Sequence, residues 1–577
     1  MRKHLLVICC LVGALGGTHG QTAPTPTKHQ LALQDMEMYA FIHYALNTYT
    51  DQEWGYGNED VKLFNPSKLD CRQWVRTCKN AGMKGIIFTA KHHCGFCMWP
   101  SAYTDYSVKS APWKSGKGDV VRELADACRE YGLKFAVYLS PWDRNHPEYG
   151  RPAYVTYFRN QLRELLTNYG EVFEVWFDGA NGGNGWYGGA DETRTIDRLT
   201  YYQWGDTYKM IRELQPHCVI WNDGADRRGD LRWVGTEAGN IGETNWSMLN
   251  STGDVTWPML HYGVENGDVW CPGETNTSIR PGWFYHDSEN GHVKSLSKLM
   301  ETYYKSVGRN STLLLNFPID KDGLIHAEDS IRGAVFYQMV RKIFDHPLKA
   351  KRKLSPTVST LTFKRPTAFN RLMVGEDIRQ GQRVKKFKVE ALVGGKWTEL
   401  HDIISEEPQR SMTTIGRKRI LCFPTTETTQ IRLTILDSKA TPVIAAMNAY
   451  LAPDIDADTP ENGEKLSSNY NIFFPGVGSP VQSMFIGLGK QMTVRKFRFL
   501  PSQDTKEGMP LDYTLSISSD DGKTWTVLAH GEFSNIVNNP IWQTVNCTPG
   551  TGSLLKLDCS RITSGNRIFY ADLEVVE

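Results

Sequence analysis

The sequence predicts an α/β protein: a (β/α)8-type barrel catalytic domain followed by two C-terminal β-sandwich domains. Between residues 36 and 346, short β-type runs alternate with amphipathic helical runs, which is the pattern of repeated βα units. After residue 350, strands of period two joined by glycine-containing turns replace that pattern. We therefore expect a barrel over residues 30–346, one sandwich over residues 350–453 and another over residues 463–577.

The first two helices of the barrel are expected to begin at an aspartate and to end at a glycine. Asp70 can cap a helix that ends at Gly82, and Asp119 can cap a helix that ends at Gly132. The helix-to-strand joints AGMK and YGLK, each centred on one of these glycines, are near copies and indicate a repeated unit. The strands that follow the two joints are predicted at residues 85–89 and 135–138.

Three further units of a helix and a strand are visible along the barrel region. Their helices are predicted at about residues 155–168, 201–214 and 293–307. The matching strands are predicted at residues 172–177, 219–221 and 313–316. The middle third of the region is irregular, so the sequence does not display eight regular units.

Two tryptophans mark the predicted hairpins of the sandwich domains. Trp397 and Trp525 each follow a glycine-containing turn and open a return strand. They are 128 residues apart, which is about one domain length and favours two related sandwiches. We expect both side chains to lie in the cores of these domains.

The first twenty residues are typical of a secretory signal peptide. A basic start over residues 1–4 precedes an apolar stretch over residues 5–15 and small residues up to position 20. This stretch is too short to span a bilayer, and no later stretch is long and apolar enough to do so. We expect export to a periplasm or to the outside, with a mature chain that begins near Gln21.

Charge and composition limit the classes of partner. Lys and Arg total 65 against 64 Asp and Glu, a formal net charge of +1, so no basic surface for nucleic acid or an anionic membrane is predicted. Aromatic residues make up 11% of the chain, including 17 Trp, which can supply flat faces for weakly polar ligands. The oligomeric state is not indicated.

The cysteines predict neither a disulfide framework nor a metal centre. The cysteines outside the predicted signal peptide do not show the dense spacing of a disulfide framework. Cys94 and Cys97 form a Cys-x-x-Cys beside His92 and His93, but a zinc site would require a second ligand pair at a standard spacing. We therefore predict no metal and no cofactor.

Polar and aromatic residues follow several predicted barrel strands. His43 follows the first strand, His92 and His93 follow the second, and Tyr138 and Asp178 stand at the ends of the next two. Barrels of this class carry their chemistry at the carboxyl ends of the strands. These side chains are therefore expected to share one rim and to form a site.

Two carboxylates favour glycoside hydrolysis. Asp178 follows the predicted buried run at residues 171–177, and Glu237 lies in the segment WVGTEAG. A pair of carboxylates from different strands, surrounded by His and Trp, can act as nucleophile and acid/base at a sugar. From the residues alone, Asp178 could equally be a helix cap or a turn residue. The alternatives to Glu237 are Glu243, Glu265 and Glu274.

Motifs spread over the whole barrel resemble the α-L-fucosidases of glycoside hydrolase family 29. The motifs are FIHY at 41–44, EWG at 53–55, KHH at 91–93, WPS at 99–101, VWFDG at 175–179, SIRPGWFY at 278–285 and LLLNFP at 313–318. The resemblance implies that Asp178 is the nucleophile. The WVGTEAG segment resembles the subgroup that acts on α-1,3/1,4-fucosylated glycans and implies that Glu237 is the acid/base.

The same resemblance implies which residues contact the sugar. The residues expected to hold the hydroxyls and ring of fucose are His43, Glu53, Trp54, His92, His93 and Tyr138. Trp283 would supply an apolar wall. The last module is similar to discoidin-like type C domains, which implies either carbohydrate binding or packing beside the barrel.

The expected activity is that of an exported, retaining exo-α-L-fucosidase that releases L-fucose from α-1,3/1,4-fucosylated oligosaccharides or glycoconjugates. Retention requires carboxyl groups about 5–5.5 Å apart. Two alternatives remain open at this point. The chain could be a related exo-glycosidase for another L-configured or 6-deoxy sugar, or a non-catalytic glycan-binding protein.

Overall fold

The computed structural model describes residues 24–179, 185–187, 192–194, 196–222, 228–406, 412–455, 470–474 and 482–577. The predicted signal peptide lies outside the described residues. Within the described ranges, no helix is long and apolar enough to cross a membrane.

Eight parallel strands form an almost closed barrel and follow one another in chain order, which confirms the predicted fold class. They are β1 (Met38–Ile42), β2 (Gly85–Lys91), β3 (Lys134–Leu139), β4 (Glu174–Phe177), β5 (Val219–Asn222), β6 (Arg232–Trp233), β7 (Gly273–Ser278) and β8 (Thr312–Asn316). β8 returns to β1, with Leu313 opposite Met38. A single parallel bridge between Trp221 and Leu231 connects β5 to the chain just before β6.

The helices of the barrel region are α1 (Lys28–Met36), α2 (Leu46–Thr50), α3 (Cys71–Asn80), α4 (Val120–Tyr131), α5 (Pro152–Asn168), α6 (Trp204–Leu214), α7 (Trp257–Tyr262), α8 (Leu296–Lys305) and α9 (Ala327–Phe344). The predicted caps are present, since Asp70 and Asp119 accept hydrogen bonds from backbone N–H groups of the first turns of α3 and α4. α4 ends at Gly132, which adopts a left-handed conformation with φ of 74°.

Two domains of antiparallel strands follow the barrel. The first contains β9 (Lys351–Lys353), β10 (Val358–Glu376), β11 (Val384–Val393), β12 (Lys396–Leu400), β13 (Met412–Thr413), β14 (Arg419–Ser438) and β15 (Ile444–Tyr450). The second contains β16 (Asn471–Phe473), β17 (Gln482–Pro501), β18 (Asp512–Ser518), β19 (Thr526–Glu532), β20 (Gln543–Cys559) and β21 (Tyr570–Val576). Each domain has its own apolar core.

The two hairpin tryptophans do not lie in these cores, so that expectation was wrong. Trp397 and Trp525 are half-buried on the sheet surface. The Arg432 guanidinium lies 4.1 Å from the Trp397 ring centroid, and the Lys556 ammonium lies 4.9 Å from that of Trp525. A long cationic side chain can cover an aromatic face without bringing it into the core, because its apolar stem packs along the ring.

The last sandwich packs against the rim of the barrel. The hydroxyl oxygens of Tyr56 and Tyr513 are 3.2 Å apart, and Arg144 lies 3.6 Å from the carboxylate of Glu532. Gly531 allows this close approach, since a Cβ atom there would lie 2.5 Å from the Tyr56 hydroxyl and one of the side chains would have to shift. The barrel therefore holds one end of the last domain in a defined place.

A fully buried ion pair connects the end of β7 to α9. Nε of Arg280 donates to both carboxylate oxygens of Asp329, at 2.8 and 2.9 Å, and neither side chain is exposed. We expect Asp329→Ala to lower the free energy of unfolding of the barrel by about 3 kcal/mol, because it removes the buried carboxylate that accepts the Nε hydrogen bonds of a buried cation. Urea denaturation followed by tryptophan fluorescence would measure this loss.

The matched control lies on the same helix. Arg341 and Asp345 form an exposed pair, and Arg341→Ala should cost about 0.5 kcal/mol. Equal losses for Asp329→Ala and Arg341→Ala would contradict the importance assigned to the buried pair.

Candidate active site

A cavity of about 270 Å³ opens at the carboxyl ends of the barrel strands. Its lining residues are Phe41, His43, Glu53, Trp54, His92, His93, Trp142, Trp176, Asp178, Gly179, Trp221, Trp233, Glu237, Asn276, Trp283, Asn535 and Asn538. Aromatic faces and a small set of convergent polar groups are typical of sites for small ligands.

The structure brings the predicted site residues together in this cavity. Eight of the nine line it, and Tyr138 lies directly behind the cavity wall, where its hydroxyl donates to Asp178. The roles in sugar binding that the resemblance implies stay predictions, because placement in a cavity does not by itself show a contact with substrate.

Asp178 follows β4 and is partly exposed to the cavity. Its Oδ2 accepts from the Tyr138 hydroxyl at 3.0 Å and lies 3.6 Å from Nε2 of His93. Removal from bulk water raises the pKa of Asp178 to about 6, although the hydrogen bonds from Tyr138 and the Gly179 N–H act in the opposite direction. The side chain keeps 37% of its surface exposed in the cavity, as an attacking group requires.

Gly179 gives Asp178 this access. It adopts a φ of +81°, and a Cβ atom at this position would come within 2.9 Å of the His93 ring. A glycine therefore lets the chain turn sharply after β4 while His93 stays close to Asp178.

Glu237 lies in the loop after β6 and is held by groups from two distant parts of the chain. Its Oε2 accepts from the indole N–H of Trp283 at 2.8 Å and from the Asn535 side-chain amide at 3.0 Å. Burial raises the pKa of Glu237 to about 7, and the negative charge of Asp178 adds to the rise, whereas the two hydrogen bonds oppose it. A carboxyl group of this kind is still partly protonated near neutral pH.

The cavity histidines are neutral. Burial lowers the pKa of His43 to about 4 and that of His93 to about 3, and it also lowers the pKa of His92 well below its usual value. Nδ1 of His43 lies 2.8 Å from Oδ1 of Asn316, and Nδ1 of His93 lies 2.7 Å from the hydroxyl of Ser140. A neutral imidazole with one nitrogen engaged in this way can use the other for a ligand hydroxyl.

Glu53 holds the segment that carries Trp283. Its carboxylate accepts from the backbone N–H groups of Trp283 and Phe284 at 2.9 and 3.0 Å, and it lies 2.8 Å from Nε2 of His286. The other ring nitrogen of His286 lies 2.7 Å from Asp51. Burial alone would lower the pKa of His286, but its hydrogen bonds to the two carboxylates raise it well above the usual value, so this histidine is a cation.

Trp176 forms the floor of the cavity. It stacks on Trp221 with ring centroids 3.6 Å apart and on Tyr138 at 5.5 Å. Its indole N–H donates to Glu274 at 2.7 Å, and Glu274 also accepts from the Tyr39 hydroxyl. Glu274, one of the alternatives to Glu237, is therefore buried beneath the floor and does not line the cavity.

Within the described ranges, one group of side chains could hold a metal ion. Ligand atoms of His92, His93 and Asp178 all lie within 4.8 Å of one another. The thiols of Cys94 and Cys97 are not part of this group, because Cys94 contacts Asn47 and Cys97 contacts Gln161. The prediction that the protein uses no metal stays a prediction.

Sequence reasoning missed several residues of the cavity. Asn535 and Asn538 lie in the last sandwich, about 300 positions after Glu237, and no local pattern connects them to the barrel. Trp176 and Trp233 lie within motifs that the sequence had singled out, so their place at strand ends was a usable signal. The aromatic walls could thus have been found, whereas the asparagines could not.

Comparisons with known proteins agree with this geometry. Residues 25–333 match the family model described as alpha-L-fucosidase. The chain is 37% identical over 469 residues to alpha-L-fucosidase 1 of Arabidopsis thaliana, which covers 74% of this chain and 88% of the plant protein.

Two solved structures extend the comparison. A glycoside hydrolase 29 family member from an unknown rumen bacterium is 65% identical, and the match covers 96% of this chain and all of that one with a TM-score of 0.74. A Ruminococcus gnavus GH29 fucosidase in complex with fucose is 28% identical, covers 75% of this chain and 95% of its own, and has a TM-score of 0.67.

Proposed function

Because the chain belongs to the α-L-fucosidases of glycoside hydrolase family 29, we propose that it releases L-fucose from α-1,3/1,4-fucosylated glycans with retention of configuration. One observation carries the mechanism. Asp178 and Glu237 line the same cavity, and burial raises the pKa of Glu237 to about 7, above the value of about 6 for Asp178, so Glu237 keeps its proton to a higher pH. Two carboxyl groups with such different surroundings are suited to different roles.

In the first step, Asp178 attacks the anomeric carbon of the fucosyl group. The bond to the leaving oxygen breaks, and a covalent fucosyl-enzyme forms through an oxocarbenium-like transition state. Tyr138 and His93 lie against the oxygen Oδ2 of Asp178, so they hold the carboxylate in one orientation and leave Oδ1 for the attack.

Glu237 donates its proton to the leaving oxygen in that step. As a carboxylate, it then takes a proton from water, and the water displaces Asp178 from the sugar. The hydrogen bonds from Trp283 and Asn535 stabilise the charge that Glu237 carries between the two steps.

The remaining lining residues suit a deoxy sugar. The neutral imidazoles of His43, His92 and His93 can donate to or accept from hydroxyls, and the faces of Trp54 and Trp283 can cover the apolar side of the ring and its methyl group. The cavity can therefore recognise an uncharged ligand through hydrogen bonds and stacking, without an ion pair to the ligand.

The linkage preference rests on the segment that contains Glu237. The pattern WVGTEAG resembles that of the subgroup acting on branched α-1,3/1,4-linked fucose, and Trp233 of this segment lines the same cavity as Glu237. An aromatic face at this place can stack on the sugar that leaves.

The basic and apolar start of the chain further supports export to a periplasm or the outside.

Retention is tested by the anomer of the first product. Proton NMR should show α-L-fucose released first by the wild type. Asp178→Ala should lower kcat by about 10⁴-fold, and added azide should restore turnover and yield β-L-fucosyl azide, because azide replaces the missing nucleophile. Asp105→Ala, whose side chain is 94% exposed, is the control and should behave as the wild type. Initial release of β-L-fucose would contradict retention.

The pH profile tests the two roles. For a fucosylated trisaccharide with an unactivated leaving group, kcat/KM should rise as Asp178 ionises near pH 6 and fall as Glu237 loses its proton near pH 7. Glu237→Gln should still hydrolyse an activated aryl α-L-fucoside, whose leaving group departs without an acid, and the alkaline fall should be absent from its profile. If that fall persists in the variant, the alkaline limb belongs to another group.

Linkage preference is tested with a panel of oligosaccharides that carry α-1,2, α-1,3, α-1,4 or α-1,6 fucose. We expect kcat/KM to be about tenfold or more higher for the branched α-1,3 and α-1,4 substrates. A higher value for the α-1,2 or α-1,6 substrates would overturn the proposed specificity and leave the fucosidase activity in place.

A further inference from the structure

A residue of the last sandwich reaches the carboxyl group that is proposed to donate the proton. Asn535 lies in the loop between β19 and β20, and its side-chain amide donates to Oε2 of Glu237 at 3.0 Å. Asn535 and Asn538 line the catalytic cavity together with the barrel residues. The cavity is therefore incomplete without the C-terminal domain.

The loop presents Asn535 through a tight turn. Its carbonyl accepts from the backbone N–H groups of Asn538 and Asn539 at 3.2 and 2.9 Å, and its φ is +49°. This left-handed conformation is unfavourable for most residues but is tolerated by Asn and Asp. The turn thus directs a short amide side chain towards the barrel.

The barrel anchors this turn next to Trp283. The side-chain amide of Asn539 donates to the carbonyl of Pro281 at 2.9 Å, two residues before Trp283. Both donors to Glu237 are therefore connected to the same barrel segment. The contacts of Tyr56 with Tyr513 and of Arg144 with Glu532 hold the domain at a second place.

We propose that Asn535 is a positioning residue for the acid/base, so that the last sandwich is a working part of the active site. The inference rests on the proposed function, in which Glu237 is the acid/base. When Glu237 gives its proton to the leaving oxygen, the Asn535 amide donates to the resulting carboxylate and lowers the cost of that charge. The amide also fixes the direction in which the carboxyl group points.

Two substitutions separate this role from simple packing. Asn535→Gly removes the amide and is compatible with the left-handed backbone. Asn535→Asp keeps the size and shape but replaces the donor with a like charge. Asp521→Gly is the matched control, since Asp521 is an exposed residue with a φ of +55° in a turn of the same domain.

The expected readout is the alkaline limb of the kcat/KM profile together with the dependence on the leaving group. Asn535→Gly should move the limb upward by about one pH unit, because a donor to the carboxylate is lost. Turnover of an unactivated fucosylated trisaccharide should fall about tenfold, whereas an activated aryl fucoside should change about twofold or less. Asn535→Asp should shift the limb further, and Asp521→Gly should not shift it.

The outcomes are distinguishable. If both Asn535 variants keep the wild-type limb and the wild-type ratio of the two substrates, the inference is overturned. If Asn535→Gly loses thermal stability, the isosteric variant Asn535→Asp provides the test. A wild-type pH profile and substrate ratio in Asn535→Asp would then overturn the inference. If Glu237→Gln hydrolyses the trisaccharide at the wild-type rate, the acid/base assignment fails first.

Discussion

The position of Glu237 is the constraint on which the rest of the site depends. This residue lies in a loop after the short strand β6, so regular strand pairing does not fix its side chain. Its carboxyl group is instead held by the indole of Trp283 and the amide of Asn535. The backbone of Trp283 is in turn held by Glu53, and the Glu53 carboxylate is hydrogen-bonded to the His286 cation. A chain of hydrogen bonds thus positions the Glu237 carboxyl group, which regular secondary structure does not.

This arrangement explains why the two carboxylates behave differently. Both are removed from bulk water, which raises the pKa of each. Asp178 follows a barrel strand and opens into the cavity, where Tyr138 and His93 orient it. Glu237, in contrast, is held by loops and by a second domain and not by a barrel strand. The strand end suits an attacking group, and the higher pKa of Glu237 suits a group that gives up and recovers a proton.

The barrel and its rim could be predicted from sequence because the signals are local. Asp70, Asp119 and Gly132 mark helix ends through their own backbone chemistry, and residues at successive strand ends meet at one rim in any parallel barrel. Asn535 could not be predicted, because its approach to Glu237 depends on how two domains pack.

The hairpin tryptophans show a case in which the local sequence predicts the wrong burial. Trp397 and Trp525 are large and apolar, and their sequence context does not reveal that Arg432 and Lys556 lie over them at the surface. Glu53 illustrates a third case. Its motif drew attention to it correctly, whereas its contacts with the Trp283 and Phe284 backbone are visible only in the folded chain.

The central claim is that Asp178 forms the covalent bond to fucose while Glu237 supplies and recovers the proton. The most direct measurement is to incubate the protein with 2-deoxy-2-fluoro-fucosyl fluoride, which slows turnover and accumulates the covalent intermediate, and to map the label by mass spectrometry of its peptides. The account predicts one fluorofucosyl group per chain, on the peptide that contains Asp178. A label on Glu237 or on another residue would contradict it.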